Sequence, residues 1–226
     1  MAHGLTRKEI KHDEVLEAAH DLGDWLEIHW KRVAIGLGGA LALLVLVLGW
    51  RGVREDRVHE ANELLGEGER ILRTVGDPFG GTTATYADAT AKFDEAAARG
   101  GSSAVGEIAR YYGGISRLRS GDLAGAIGIL EILADSAGDA LVRENSKVSL
   151  ALAYGAQGKV ADADRLLREV ASDPAAVFPP EQALLALAGL YRDAGDAKAA
   201  EGVQKEILER YPATSAAQEL RAPAAQ

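Results

Sequence analysis

Three glycines, Gly121, Gly158 and Gly195, recur at intervals of 37 residues in the second half of the chain. Each lies in a short polar or small-residue segment between two stretches with helical patterning. Each is therefore expected to end one helix in the left-handed conformation, which a residue without Cβ adopts at little cost. A fixed period of this length predicts stacked copies of one supersecondary unit. The chain is expected to be an all-α protein built from helical hairpins.

The helix after each glycine repeats one pattern, a small residue followed by residues four and seven positions later that are mostly larger and apolar, and one further copy precedes the first glycine. These positions share a helix face, so each triad is expected to close a pair of helices. The triads are Ala89, Phe93 and Ala96; Ala126, Leu130 and Leu133; Ala163, Leu167 and Val170; and Ala200, Gln204 and Ile207.

The helix before each glycine also carries repeated positions. A small residue lies seven positions before the glycine, as Gly114, Ala151 and Ala188. Tyr154 and Tyr191 share the position four before it, where Arg117 departs from the pattern.

This arrangement resembles the tetratricopeptide repeat (TPR), which places a small residue, an aromatic, a turn glycine, an alanine and a terminal proline at fixed offsets. The last copy fits best, with Ala188, Tyr191, Gly195, Ala200 and Pro212. The resemblance covers about residues 86–215 and implies a TPR-like helical-hairpin solenoid whose first helices line a groove for peptides or partner helices. By analogy with TPR offsets, the residues facing that groove would be Tyr111, Asn145, Val148, Gln182, Leu185 and Arg192.

A run of 18 residues without a charge, Val33 to Trp50, precedes the repeats. At about 1.5 Å per residue it is about 27 Å long, close to the hydrocarbon thickness of a bilayer. Lys31 and Arg32 precede the run, and Arg51 follows it. A single transmembrane helix over residues 33–50 is expected. A buried core helix and a cleaved signal peptide are the competing interpretations, and no small-residue cleavage site follows the run.

The expected organisation has five parts. Residues 1–32 form an N-terminal amphipathic region, and residues 33–50 form the transmembrane helix. Residues 51–85 form a linking helix and loop, an irregular first repeat helix that ends at a break over residues 76–81. The TPR-like repeat domain covers residues 86–215, and a tail covers residues 216–226.

The residue inventory disfavours catalysis. The chain has no cysteine, and its five histidines all lie within the first 59 residues. Nucleophile pairs such as Ser–His or Cys–His are therefore not expected in the repeats. No phosphate-binding or dinucleotide fingerprint occurs either. We expect a protein that is not an enzyme, with no cofactor, metal or small-molecule substrate. The net charge of −9 also argues against nucleic acid as a partner.

The order of a short N-terminal region, one anchor, a linking helix and about four divergent repeats resembles the YfgM-type ancillary subunits of the SecYEG translocon. That resemblance implies a bacterial inner-membrane protein with a cytoplasmic N-terminus and periplasmic repeats. It implies an adaptor or holdase whose partners are translocon subunits, a membrane-anchored periplasmic chaperone and unfolded clients. The alternative is a TPR scaffold for another envelope assembly process, such as cytochrome maturation or cell division. Charges flanking the run do not decide the orientation.

Overall fold

The computed structural model describes the backbone of residues 7–75 and 84–221, and the side chains of residues 29–32, 34–75 and 84–221. The described residues form nine helices, which confirms the all-α prediction. The bounds are α1 Arg7–Val75, α2 Tyr86–Gly100, α3 Ala104–Ser120, α4 Leu123–Ser136, α5 Ala140–Ala156, α6 Val160–Ser172, α7 Pro180–Asp193, α8 Ala197–Arg210 and α9 Ser215–Arg221.

The chain divides into two compact units, Met1–Glu55 and Asp56–Gln226. Within the described residues, the part of α1 from His29 onward is the one helix long and apolar enough to cross a membrane. No described residue in the most apolar stretch of this helix is buried, and Leu46 keeps 71% of its surface. A core helix would bury such side chains, so the exposure favours a membrane anchor or a signal sequence. The helix contains the predicted span, residues 33–50.

In the second unit, the last part of α1 packs closely against α2. A Cβ added at Gly68 would lie 2.6 Å from the Phe93 ring, so only glycine lets this fully buried ring fit there. Lys92 on α2 pairs with Glu67 at 2.8 Å. The hydrogen bond to Glu67 raises the pKa of the Lys92 ammonium. The loop predicted between these two helices, at residues 76–81, lies outside the described residues.

From α2 onward, each helix packs against the next one along the chain. In addition, α3 contacts α5, α5 contacts α7, and α7 contacts α9. We call these four helices the A row. An A-row helix therefore contacts both the next helix along the chain and the next A-row helix. Stacked helical hairpins require these two sets of contacts, because each hairpin buries its apolar faces only against the next hairpin. Their presence confirms the predicted TPR-like hairpins.

The predicted triads form the centre of the hairpins, with one exception. Their small residues and most of their large ones are buried, and Phe93, Leu130, Leu167 and Ile207 are fully inaccessible. Burying each such side chain contributes about 1.5–3 kcal/mol. In α8, however, Gln204 is only half-buried, and its neighbour Val203 is buried instead. A hydrophobic side chain replaces the amide in the core because burying an unpaired amide is costly.

The three repeated glycines adopt the predicted left-handed conformation, with φ of 87° at Gly121, 77° at Gly158 and 79° at Gly195. After each of them, the next backbone N–H donates to the carbonyl five residues back. These bonds join Asp122 to Arg117, Lys159 to Tyr154 and Asp196 to Tyr191, at 2.9, 2.9 and 2.8 Å. The turn therefore satisfies carbonyls that the end of a helix leaves unpaired.

The turn between α2 and α3 depends on two other glycines. A Cβ at Gly100 would lie 2.7 Å from the Gly106 nitrogen, and a Cβ at Gly106 would collide with the backbone of Gly100 and Gly101. The two helices thus meet through backbone atoms at this point. The Ser103 hydroxyl accepts a hydrogen bond from the Gly106 N–H at 3.3 Å and caps α3.

Two glutamates that are 37 residues apart hold the loops between hairpins. The Glu107 carboxylate accepts hydrogen bonds from the Gly138 N–H at 3.0 Å and the Asp139 N–H at 3.3 Å. Glu144 accepts one from the Phe178 N–H at 2.6 Å. Glu107 on α3 thereby holds the loop that leads into α5, and Glu144 on α5 holds the loop that leads into α7. Each bond fixes the position of the next A-row helix.

The sequence predicts a tail over residues 216–226, and the structure places helix α9 at the start of that segment. Ala216 and Ala217 are fully buried against α7 and α8, and so they continue the core of the A row. The Thr214 hydroxyl accepts a hydrogen bond from the Ala217 N–H at 3.4 Å. A short seven-residue segment that closes the last hairpin has too few periodic positions to be recognised from sequence.

Replacing the turn glycine in Gly158→Ala is expected to lower the free energy of unfolding by about 1–2 kcal/mol, because a Cβ disfavours its left-handed backbone. No atom lies within 4 Å of that Cβ, so the loss reflects backbone conformation alone. The matched control is Gly128→Ala in the exposed interior of α4, where the added Cβ also meets open space. It is expected to raise stability by about 1 kcal/mol. Urea unfolding followed by circular dichroism measures both, and equal effects would contradict the turn assignment.

Candidate functional site

An open cavity of about 760 Å³ lies on the A row, lined mainly by α5 and α7 and bordered by Leu118 of α3 and Val160 of α6. Its walls are mostly apolar. They include Leu118, Leu152, Val160, Ala186, Gly189 and Leu190. Leu152 keeps 43% of its surface exposed, although Val148 and Leu150 of the same helix are buried. The cavity therefore presents apolar surface to solvent between helices that can support a ligand.

A missing side chain opens this cavity. Ile115, Leu152 and Gly189 are 37 residues apart and so occupy the same place in successive hairpins. A Cβ at Gly189 would have no atom within 4 Å, so the space is free where α3 and α5 carry branched side chains. Gly155 serves a different purpose, because a Cβ there would collide with the Leu190 side chain. One glycine leaves space, and the other lets α5 and α7 approach.

Among the described residues that line the cavity, Asp193 alone carries a charge. It is the last residue of α7 and lies four positions after Gly189, on the same side of the helix. Its side chain is exposed at the rim. The cavity thus combines an apolar interior with a single carboxylate at one edge.

A repeated polar contact ties the A-row helices to the hairpins before them. The Arg117 guanidinium donates to both carboxylate oxygens of Asp94, at 3.0 and 2.7 Å. In the next copy, the Tyr154 hydroxyl donates to Glu131 Oε1 at 2.6 Å. Arg117 departs from the aromatic pattern in type, but it makes the equivalent contact, since Asp94 and Glu131 are also 37 residues apart.

The third copy shows a variation on this contact. The Tyr191 hydroxyl donates to Asp164 Oδ1 at 2.8 Å. The place equivalent to Glu131 holds Arg168, which pairs with the same Asp164 oxygen at 2.9 Å. An arginine and a tyrosine thus share one carboxylate, so the tie between consecutive hairpins is kept although its residues differ.

These contacts shift the proton affinities of their members. The hydrogen bond to Asp94 raises the pKa of the Arg117 guanidinium, and the bond to Glu131 raises the pKa of the Tyr154 hydroxyl. For Tyr191, burial is the largest cause of the raised pKa, and the hydrogen bond to Asp164 adds to it. These contacts favour the protonated, hydrogen-bond-donating form of each group, which is also the form present at neutral pH.

Three of the predicted groove residues lie on α3 and α5 and are largely engaged within the protein. The hydroxyl oxygens of Tyr111 and Ser149 are 3.4 Å apart, joining α3 to α5. Asn145 donates through Nδ2 to the Leu141 carbonyl of its own helix at 2.8 Å. Val148 is buried and belongs to the main apolar core. Their part in binding a partner stays a prediction.

The other three predicted groove residues lie on α7. The Gln182 amide Nε2 is 3.5 Å from the Ser215 hydroxyl, at the contact between α7 and α9. Leu185 is half-buried against the main core, while Arg192 is exposed. None of the six predicted residues is among those lining the cavity. A binding role for these three residues likewise stays a prediction.

The cavity residues that sequence reasoning missed carry a recognisable signal. Gly155 and Gly189 lie inside helices, where glycine costs about 1 kcal/mol relative to alanine. Neither forms a turn, so each indicates either close packing or open space. Leu152 is an apolar residue one position past the small Ala151, outside the triad-like positions used to define the core.

No group of three or more histidine, aspartate or glutamate side chains within the described part of the chain is arranged to hold a metal ion. The acidic side chains at the hairpin ties are instead committed to arginine, tyrosine and backbone donors. The site geometry offers apolar surface and one carboxylate.

Comparison with known proteins finds no matching family model and no matching curated protein. One similar solved structure is PilW, described as a widely conserved type IV pilus biogenesis factor, with 21% identity and a TM-score of 0.45 over 60% of this chain. This chain covers 59% of that PilW chain. Another is a Podosopora anserina putative kinesin light chain with nearly identical TPR-like repeats, at 17% identity and a TM-score of 0.46. The match covers 71% of this chain and 76% of that one.

These similarities are distant, and we therefore assign the class of the protein from its own helix packing. The repeated left-handed turns, the buried triads and the doubly contacted A row define a TPR-like helical repeat protein. The described part of the chain also holds one apolar helix near its N-terminus that is long enough to cross a membrane. The YfgM-type resemblance stays a prediction.

Removing the tyrosine hydroxyl in Tyr154→Phe is expected to lower the free energy of unfolding by about 1 kcal/mol at pH 8, through loss of the bond to Glu131. Because the pKa of Tyr154 is raised by folding, its contribution is complete below pH 10 and is lost as the pH rises through the folded-state pKa. The stability difference between the wild type and Tyr154→Phe should therefore shrink between pH 8 and pH 11, as measured by urea unfolding.

The variant Glu131→Gln provides the control for this pH dependence. Its amide oxygen still accepts a hydrogen bond, but it carries no charge to oppose the tyrosinate. In that background, adding Tyr154→Phe should produce a smaller change with pH than it does with Glu131 present. An unchanged pH dependence would show that another group causes it.

Proposed function

We propose that this chain is a non-enzymatic, membrane-anchored protein-binding scaffold whose TPR-like helices take up partner proteins. The observation that carries this proposal is the open apolar cavity on the A row, where Leu152 faces solvent beside the free space at Gly189. Exposed apolar surface of this kind is kept where a protein binds another molecule. The acidic side chains at the hairpin ties, Asp94, Glu131 and Asp164, are engaged in structural contacts, which fits a binding role.

The proposed organisation follows the predicted boundaries. Residues 33–50 form the anchor, preceded by the amphipathic region 1–32 and followed by the linking segment 51–85. Residues 86–215 form the repeat domain, and α9 closes it at the start of the predicted tail 216–226. The described cavity lies wholly within residues 118–194.

Several features support the assignment of residues 33–50 as an anchor. Their described side chains are exposed, and the run carries no charge. Trp30 and Trp50 lie at its two edges, with 57% and 65% of their surfaces exposed. Lys31 Nζ lies 5.9 Å from the Trp30 ring, and Arg54 Cζ lies 5.5 Å from the Trp50 ring. Aromatic rings beside cations suit the headgroup layers at the two faces of a bilayer.

We further propose a bacterial inner-membrane location, with a cytoplasmic N-terminus and periplasmic repeats, and a role as adaptor or holdase. The proposed partners are Sec translocon subunits, a membrane-anchored periplasmic chaperone and unfolded clients. This finer part rests on the YfgM-type resemblance. An open apolar cavity suits a holdase, because the apolar segments that unfolded clients expose aggregate unless another protein binds them.

The anchor is tested by placing charges in the middle of the run. The double variant Leu41→Arg, Leu44→Arg is expected to shift the chain from the carbonate-resistant membrane fraction to the soluble fraction. Each arginine at the centre of a membrane helix costs about 2.5–3.5 kcal/mol on insertion scales. Val53→Arg, just outside the run, is the control and should stay in the membrane. A mature protein whose intact mass lacks the run would show a cleaved signal sequence instead.

Orientation is tested by protease treatment of spheroplasts with intact inner membranes. Digestion of the repeats, while a cytoplasmic control protein stays intact, is the expected result for periplasmic repeats. Protection of both proteins would place the repeats in the cytoplasm and would overturn the translocon-associated part of the proposal.

Protein binding at the cavity is tested by crosslinking, because the chain contains no cysteine and one introduced thiol is unique. Leu152→Cys, carrying a short photoreactive maleimide, is expected to capture proteins in native membranes. Ile132→Cys is the matched control, since Ile132 is 64% exposed on α4 and does not line the cavity. Equal capture at both positions would contradict a binding role for the cavity.

Mass spectrometry of the captured proteins separates the two functional alternatives. Translocon subunits or a membrane-anchored periplasmic chaperone would support the adaptor role. Factors for cytochrome maturation or cell division would favour a scaffold for that envelope process instead.

A further inference from the structure

We propose that the occupant of the A-row cavity is a peptide segment that carries bulky apolar side chains next to a basic residue. This inference rests on the protein-binding function proposed above and specifies the chemistry of the partner. It follows from two observations at the same place in the fold, the free space at Gly189 and the carboxylate of Asp193.

The apolar part of the partner is indicated by the shape and lining of the cavity. The cavity around Gly189 is lined by Leu152, Ala186 and Leu190, and no atom of a neighbouring helix comes within 4 Å of a Cβ added at Gly189. A cavity of about 760 Å³ admits several large side chains of a peptide. Apolar side chains fit best, because a polar group buried against these walls would find few hydrogen-bond partners.

The basic part of the partner is indicated by charge. Asp193 is the charged residue of the lining, and it forms no ion pair within the described part of the chain. The surrounding protein adds to its potential, since residues 58–226 contain 17 lysines and arginines against 25 aspartates and glutamates. An acidic partner would be repelled both by the rim and by the domain, whereas a cation would be attracted.

The positions of Gly189 and Asp193 on α7 set the order of the apolar and basic residues in the partner peptide. Gly189 and Asp193 are separated by one helical turn on the same side of the helix, a rise of about 6 Å. A partner that fills the space at Gly189 therefore places its neighbouring residue beside Asp193. One apolar residue followed closely by lysine or arginine satisfies both positions at once.

The test uses the full chain in nanodiscs of neutral phosphatidylcholine, with empty nanodiscs as the background. Three fluorescein-labelled peptides share one length: a leucine- and phenylalanine-rich peptide with lysines, the same peptide with glutamates in place of the lysines, and the lysine peptide with serines in place of its apolar residues. Fluorescence anisotropy measures the binding of each. The lysine peptide should bind about fivefold tighter than the glutamate peptide, as an exposed ion pair allows, and the serine peptide should not bind.

Two variants locate the binding. Gly189→Leu fills the cavity and should weaken the lysine peptide at least about tenfold, as expected for blocking a central pocket. Its control is Gly128→Leu on α4, where the added side chain also starts in open space and binding should be unchanged. Asp193→Asn should keep the apolar binding and reduce the preference for the lysine over the glutamate peptide. Circular dichroism confirms that each variant is folded.

Each result decides one part of the proposal. Equal binding of the lysine and glutamate peptides, or an unchanged preference in Asp193→Asn, overturns the basic part. Unchanged binding in Gly189→Leu overturns the placement in the cavity. Self-association that Gly189→Leu abolishes, without peptide binding, would make a second copy the occupant and overturn the proposal. If no peptide binds while Leu152→Cys still captures proteins, this inference fails and the proposed function stands; if capture fails as well, both fail.

Discussion

The close approach of helices at small residues is the constraint on which the rest of the structure depends. A Cβ at Gly114 would lie only 3.1 Å from Leu130 Cδ2, and the equivalent Ala151 and Ala188 are fully buried. With the helices this near, the larger residues of each triad interdigitate, and the hairpin shuts out water. The left-handed glycine between the helices then sets the direction in which the second helix returns. A larger side chain at these crossings would spread the hairpin and shift every helix stacked after it.

Side-chain hydrogen bonds and ion pairs between consecutive hairpins fix the orientation of one hairpin relative to the next. Arg117 to Asp94 and Tyr154 to Glu131 use different donors for the same geometric purpose, and Tyr191 uses a carboxylate one turn earlier. Each tie is partly exposed, so its contribution to stability is modest. Its directionality matters more, because it aligns consecutive A-row helices and thereby holds the walls of the cavity in place. The glutamates at 107 and 144 act in the same way on the loops.

The proposed function draws on a local departure from this regular stack. At the place where α3 and α5 carry Ile115 and Leu152, α7 carries only a hydrogen atom at Gly189. The fold loses one packing contact there and gains an open apolar space with a carboxylate at its edge. With the apolar helix as the anchor that we propose, the scaffold would meet its partners at a membrane. The cavity and the proposed anchor suit the same kind of task, although each belongs to a separate unit of the chain.

Local patterns in the sequence were sufficient to predict the all-α class, the turn glycines, nearly all of the buried triads and the long apolar helix. Each of these depends on residues near one another in the chain, through helix periodicity, a required backbone angle or an uncharged run. The tertiary structure decided which A-row positions are free, since Val148 is buried while Leu152 is exposed. It also decided that Val203, and not Gln204, is buried in α8. An A-row helix touches both its own partner helix and the next A-row helix, so two of its faces are covered at once. The helical periodicity of the sequence does not show which of these faces is buried. Only the packing of α3, α5 and α7 shows which side chains remain exposed to solvent.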